Sequence, residues 1–280
     1  MISQILQIRK QKDLDYPMIQ SREEMMKKII LLISLILILT IPTTSFAMGL
    51  EIAGGAWYQR PSGYMSFDKT TQEDDLDLED DLNYDDKWKA FGRLILNTPL
   101  FLPNIYLMYT PMKWDETGSK DVNFTFGGEE FQADVDFDSE LKLNHFDVGL
   151  FWGLPFINTA TADVLNIDLG LNVRLMDVKA KIEHKDLDLK ESESYLLPLP
   201  MLYTGLQIKP LKYFAFEFEG RGIGWSSSHY VSLIGRLKVK PFGPFFVAGG
   251  SRYDNVNIDY KDVDIDAEFH GPFAEAGLEF

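Results

Sequence analysis

The chain has 280 residues, with 27 Lys+Arg against 43 Asp+Glu, a formal net charge of −16, and 45% hydrophobic and 13% aromatic residues. A charge of that sign and size repels phosphate backbones, which argues against a nucleic-acid partner. The lack of cysteine excludes disulfides, thiolate metal sites, a cysteine nucleophile and a lipidated N-terminal cysteine.

Residues 1–24 are mixed and charged, and Met25 or Met26 makes a better initiator than Met1. The first 24 residues are therefore read as an over-extended start with no fold of their own. Lys27 and Lys28 precede an apolar run from Ile29 to Ile41. Ser45-Phe46-Ala47 then puts small residues at −3 and −1 of a cleavage between Ala47 and Met48. These are the three parts of a secretory signal peptide, assigned to residues 25–47. A helix needs ~20 apolar residues to cross a bilayer, and this run has 13. The first 47 residues hold six Lys/Arg and four Asp/Glu, so the chain from Met48 is near −18. No other long apolar stretch remains, which excludes a helical inner-membrane protein.

Residues 48–280 alternate apolar and polar positions with period two, the signal of a strand with two different faces. Ten strands are predicted, at about 50–65, 86–98, 104–116, 141–154, 162–176, 194–208, 212–225, 229–240, 244–254 and 266–280, with ends good to ±2–4 residues. Eight is the alternative count. The clearest strand carries Leu165, Ile167, Leu169, Leu171, Val173 and Leu175 on one face, against Asn166, Asp168, Gly170, Asn172 and Arg174 on the other. Phe214, Phe216 and Phe218 oppose Glu217, Glu219 and Arg221; Val231, Leu233, Leu237 and Val239 oppose Ser232, Arg236 and Lys238. Repetition of this pattern through the chain predicts an all-β fold, a single antiparallel transmembrane β-barrel, apolar towards lipid and polar towards the lumen. A closed barrel is also the one sheet without an unsatisfied edge in lipid.

Two further features support the barrel. Tyr58, Trp88, Trp114, Tyr195, Trp225 and Tyr253 fall near one end of their strands, and Phe151, Trp152, Tyr213, Phe245 and Phe246 near the other. Such levels correspond to the aromatic girdles at the two membrane boundaries. Long polar connections (66–85, 117–140, 177–193, 255–265) alternate with short ones (99–103, 155–161, 209–211, 241–243). That asymmetry and an even strand count imply periplasmic termini, long outer loops and a place in a bacterial outer membrane.

The chemistry-bearing residues are few. Residues 73–86 hold nine acids: Glu73, Asp74, Asp75, Asp77, Glu79, Asp80, Asp81, Asp85 and Asp86. Their oxygens suit divalent cations, but no Asp-x-Asp-x-Asp-Gly loop fixes a geometry, so a solvated, self-repelling outer loop is expected. Asp134, Asp136, Asp138, Asp262, Asp264 and Asp266 alternate with apolar residues and are read as strand extensions above the membrane. The four histidines are His145, His184, His229 and His270, and for His229 at its outer strand junction a solvated loop position is the default. Ser226, Ser227, Ser228 and His229 are the candidate nucleophile and base. Neighbours in a strand point to opposite faces, so no enzyme and no cofactor are expected. Charged lumen positions are Arg93, Asp147, Asp168, Arg174, Glu217, Glu219, Arg221, Arg236, Glu275 and Glu279. With both signs present in a barrel of this size, they predict a plugged or very narrow lumen.

Both ends of the exported chain carry a resemblance. Ala274-Glu275-Ala276-Gly277-Leu278-Glu279-Phe280 resembles the assembly signal of outer-membrane proteins: Ala274, Ala276, Leu278 and Phe280 form its apolar row, and Pro272 stands where an aromatic is more usual. Ala53-Gly54-Gly55-Ala56-Trp57-Tyr58-Gln59-Arg60-Pro61-Ser62-Gly63 is similar to the first strand of the W-GlyGly family of small outer-membrane barrels, itself distantly similar to outer membrane protein W. The resemblance implies a location and a fold, with membrane lipid, lipopolysaccharide and the barrel assembly machinery as partners. It implies no catalytic residues. Three functions stay open: an envelope-structural or surface-interaction barrel, a narrow pore for small or hydrophobic solutes, and a lipid- or peptide-modifying enzyme.

Overall fold

In the computed structural model of the protein, residues 48–99, 101–184, 189–225, 228–260 and 263–280 are described. The readings of residues 1–24 and 25–47 lie outside them, as does Ala47; Met48 is exposed. In chain order the elements are β1 (Gly49–Phe67), β2 (Leu76–Asp77), β3 (Lys87–Asn97), β4 (Asn104–Thr110), β5 (Lys113–Gly118), β6 (Phe124–Phe126), β7 (Glu129–Phe131), β8 (Phe137–Gly153), the short helix α1 (Pro155–Ala160), β9 (Leu165–His184), β10 (Leu189–Leu211), β11 (Phe214–Trp225), β12 (Ser228–Phe242), β13 (Phe245–Tyr260) and β14 (Val263–Glu279). The wall runs β1, β3, β4 with β5, β8, β9 and on through β14, each strand antiparallel to the next. Pairing of β14 with β1 closes a barrel of ten wall positions. β4 and β5 share one position, broken at Pro111 and Met112. Met48, Phe280 and the short connections at 98–99 with 101–103, 154–164, 212–213 and 243–244 lie at one end, here called the termini end.

The pleat sorts the side chains. Leu169, Leu171, Val173 and Leu175 of β9, Phe214, Phe216 and Phe218 of β11, and Leu233 and Leu237 of β12 are all exposed on the outside. Arg93, Asp147, Arg174, Glu217, Arg221, Arg236 and Glu275 are buried inside. An apolar exterior around a charged interior is the reverse of a water-soluble core, and it suits a bilayer. Ala274, Ala276 and Phe280 are exposed on the outer row of β14, with Leu278 half-buried there. The Phe280 amide donates to Leu50 O (2.9 Å) and its carbonyl accepts from Leu50 N (3.2 Å), extending the seam beyond the last strand residue. The β14–β1 ladder skips Gly271 and Pro272. Proline has no donor to give, and a Cβ at Gly271 would lie 1.9 Å from Tyr58 O.

Several expectations need correction. Connections 177–193 and 255–265 are mostly strand, because alternation continues above the apolar belt: Val178, Ala180 and Ile182 point inward and Asp177, Lys179 and Lys181 outward. Asp138, Asp264 and Asp266 lie in such extensions, while Asp134 sits in a turn (φ 57°) and Asp262 lies outside the described residues. Trp114, Phe151 and Phe246 are not girdle residues; their parity turns them inward, where they are buried. Tyr195 likewise packs against the interior. Tyr58 and Trp88, 5.1 Å apart, do stand on the outer surface with Trp152.

The acidic segment 73–86 is folded, its apolar residues turned inward while Glu73, Glu79, Asp80, Asp85 and Asp86 remain exposed. Leu76, Leu78, Leu82 and Tyr84 are buried against Trp57, Met65 and Trp114, with Phe124, Phe126, Phe131 and Phe137 from the next connection. Together they form an apolar cap over the far end of the barrel. The acids hold its turns: Asp74 accepts from Thr70 N and Thr71 N (both 2.7 Å) and from Thr125 N (2.7 Å), Asp77 from Glu79 N and Asp80 N, and Asp81 from Lys120 Nζ (2.9 Å). Burial raises the Asp74 pKa, but the amides of Thr125, Thr71 and Thr70 outweigh it and hold it below the ordinary carboxylate value. A depressed folded pKa gives stability that is present above the unfolded pKa and lost as pH falls through the folded one. Hydrogen exchange, corrected for intrinsic rates, should show the three threonine amides protected at neutral pH and losing protection in acid. Asp74→Asn should lose about 1–3 kcal/mol of local stability and flatten that pH dependence; unchanged protection would show that the carboxylate does not hold the cap.

Candidate functional site

Inward-facing residues of every wall position meet in the lumen, and twelve buried charges form two linked layers there, six acidic and six basic. The lower layer, nearer the termini, gathers Glu51, Arg93, Glu217, Glu219, Arg236, Lys238 and Glu275. Arg93 pairs with Glu219 (2.8 Å) and Glu275; Arg236 pairs with Glu51 (3.0 Å), Glu217 and Glu275; Lys238 reaches Glu51 (2.5 Å) and Glu279 (2.6 Å). Arg221 links upward, its Nη2 2.7 Å from Glu219 and its guanidinium 4.4 Å from the centre of the Tyr106 ring.

In the upper layer Arg174 grips Asp147 with two bonds of 2.9 Å, and Asn172 Nδ2 donates to the same carboxylate (2.7 Å). Arg252 donates to Asp254 (2.8 Å) and Thr110 (2.9 Å), stands 3.1 Å from His145 Nε2, and lies over the Trp57 ring. Burying charge is tolerable only with such pairing. Equal numbers of each sign let the lumen close without counter-ions. Above this layer Met65, Met112, Trp114, Leu141, Leu143, Met176 and Phe269 continue into the cap. Trp114 stacks on Phe269 at 5.0 Å. Below the lower layer a vestibule of about 550 Å³ opens at the termini end. Its wall includes Asp168, which accepts from Asn166 (2.9 Å) and stands apart from the network, together with Lys209 and Asp163.

The predicted lumen residues Arg93, Asp147, Arg174, Glu217, Glu219, Arg221, Arg236 and Glu275 are thus brought together, with Glu279 at the margin. Sequence reasoning missed Glu51, His145, Arg252 and Asp254. The parity rule that found the others places all four inward, since Arg252 and Asp254 alternate with outward Ser251 and Tyr253. His145 is buried in β8, within the strand predicted at 141–154. His270 is exposed on the outer face, and the His184 side chain lies outside the described residues, as do Ser226 and Ser227. Ser228 exchanges bonds with the Asp259 backbone while His229, on the opposite face, binds Asn255 (2.6 Å), so these two do not form a nucleophile–base pair. Among the described residues no three His, Asp or Glu side chains are grouped to hold a metal ion.

An apolar belt around a closed, charge-filled lumen defines a transmembrane β-barrel. Comparison with known proteins identifies no family. No family model matches the sequence, and no curated protein matches it. Solved barrels with a similar course include the outer membrane protease OmpT from Escherichia coli, at 12% identity over 85% of this chain and 99% of that one, TM-score 0.47. Ail, the attachment invasion locus protein of Yersinia pestis, is similar at 11% identity over 83% and 99%, TM-score 0.35. The translocator domain of the autotransporter NalP from Neisseria meningitidis is similar at 9% identity over 82% and 87%, TM-score 0.33.

Proposed function

We propose that this protein is a non-enzymatic outer-membrane barrel of the envelope-structural or surface-interaction type, with periplasmic termini and the folded acidic cap as its outward surface. The observation that carries this reading is the lumen, closed by two paired charge layers and then by apolar packing. The apolar belt supports lipid and lipopolysaccharide as its surroundings, and the outward row Ala274, Ala276, Leu278 and Phe280 supports recognition by the assembly machinery. Membership of the W-GlyGly family belongs to the same proposal. Its support is local: Gly55 leaves room for Phe91, whose ring would lie 2.7 Å from a Cβ at that position. The divergence of Ser228 and His229 supports the absence of catalysis.

Single-channel recording of the refolded protein in a planar bilayer tests the reading, and a silent membrane is the expected result. A second reading, a narrow pore for small or hydrophobic solutes, draws on the vestibule, which brings solvent to the charged network from one end. Reproducible conductance steps would replace the first reading by this one. With excess acid in the outer loops, such a pore would favour cations.

A further inference from the structure

The barrel wall is interrupted between β10 and β11. β10 pairs with β11 from Leu202↔Gly222 towards the termini end. Above that point β10 continues to Leu189 with β9 as its ladder partner. Pro198 and Pro200 stand in the stretch where, among the described residues, β10 has no ladder pairing with β11. Proline is tolerated in a sheet where its missing donor faces no partner. The β9 ladder runs unbroken through Pro198↔Leu175 and Pro200↔Val173, so the missing donors fall on the β11 side.

Across the seam, the outward row of β11 changes from Phe214, Phe216 and Phe218 to Gly220, Gly222 and Gly224. A Cβ at Gly224 would meet nothing within 4 Å. The bare row leaves a cavity of about 640 Å³ between Leu171, Val173, Leu202 and Val231, and another of about 450 Å³ between Leu197, Leu199, Trp225 and Ile258; both touch Pro200 and Ile223. Each lies in the range of small-molecule pockets, about 300–1,000 Å³. The groove is lined by outward residues of the belt and by inward residues, Leu199, Met201 and Ile223, as a gap through the wall must be. Its rim is polar, with Ser228, His229 and Asn257.

We propose that the β10–β11 seam binds one acyl chain of a membrane lipid, with the ester end at the polar rim and the chain descending past Ile223 towards Leu202. The occupant follows from continuity. Leu171, Val173 and Leu202 belong to the lipid-facing belt, so hydrocarbon already covers the lower groove, and the upper groove offers apolar walls ending where a head group requires polar ones. The site requires only that the belt lies in lipid, and it is independent of whether the lumen conducts.

Photolabelling the refolded protein in phosphatidylcholine vesicles carrying a mid-chain diazirine tests the proposal. Bulk lipid reaches Leu171, Leu202 and Val231 in any case. A chain in the seam also labels inward-facing Leu199, Met201 and Ile223, and Gly224→Phe, which fills the groove, should abolish that inward labelling while sparing the belt. Belt labelling without inward labelling in the unaltered protein overturns the proposal, as does inward labelling that Gly224→Phe leaves unchanged. Labelling of the inward residues by a free photoactive fatty acid but not by the phospholipid overturns the assignment to a membrane lipid.

Discussion

Asp147→Ala should destabilise the folded barrel by about 3–5 kcal/mol, the cost of leaving a buried guanidinium without its carboxylate. Arg174 and Asp147 are both fully shielded from solvent, and two bonds of 2.9 Å join them. Once Asp147 is gone, Asp254 at 3.9 Å is the nearest acid to Arg174 and is already engaged by Arg252. The Arg174 charge would stay buried with one distant partner. The double replacement Asp147→Leu with Arg174→Met removes both charges and should regain most of the loss, because a buried pair is often no more stable than an apolar pair of similar volume. Urea unfolding of vesicle-refolded protein, followed by tryptophan emission, would measure both. Equal destabilisation of the single and double variants would assign the effect to packing rather than to uncompensated charge.

Trp114→Ala should cost about 3–5 kcal/mol, as expected for deleting a large buried aromatic, and its effect should fall on the cap. The ring is fully buried, stacks on Phe269 and Tyr84, and donates from Nε1 to Asp85 O (3.1 Å). It therefore joins wall strand β5 to the acidic segment and to β14. Limited proteolysis should cut residues 68–86 in the variant and spare them in the parent. The barrel itself should keep its heat-modifiable electrophoretic mobility, since the ten-position ladder does not pass through the cap. Trp114→Phe should restore part of the protection by keeping the stack. An unchanged cap in Trp114→Ala would show that the apolar layer under it does not hold it in place.

The barrel and its inside-out sorting were legible because period-two alternation is local. A residue's face follows from its parity within a strand, so Leu169 and Arg174 could be assigned to opposite sides without knowing what either touches. The same rule covers Glu51, Arg252 and Asp254, whose strands carry no apolar row as regular as that of β9. Parity also carries the misassigned aromatics: Trp114 and Phe246 lie at the right height for a girdle, but on the inward face. Pro198 and Pro200 are a readable sign of an unpaired edge in a strand otherwise patterned as an ordinary wall element.

Local alternation thus yields the class of element, about ten wall strands, and, by parity, the face of a charge within a strand. Which charges pair, Asp147 with Arg174 and Glu51 with Arg236 and Lys238, depends on strand registers across the lumen that no local pattern contains. The tertiary structure also makes three of the nine clustered acids, Asp74, Asp77 and Asp81, into holders of turns. Backbone amides of Thr70, Thr71 and Thr125, the last 51 residues from Asp74, take up the charge, and Leu76, Leu78 and Leu82 find an apolar layer supplied by strands far away in the chain.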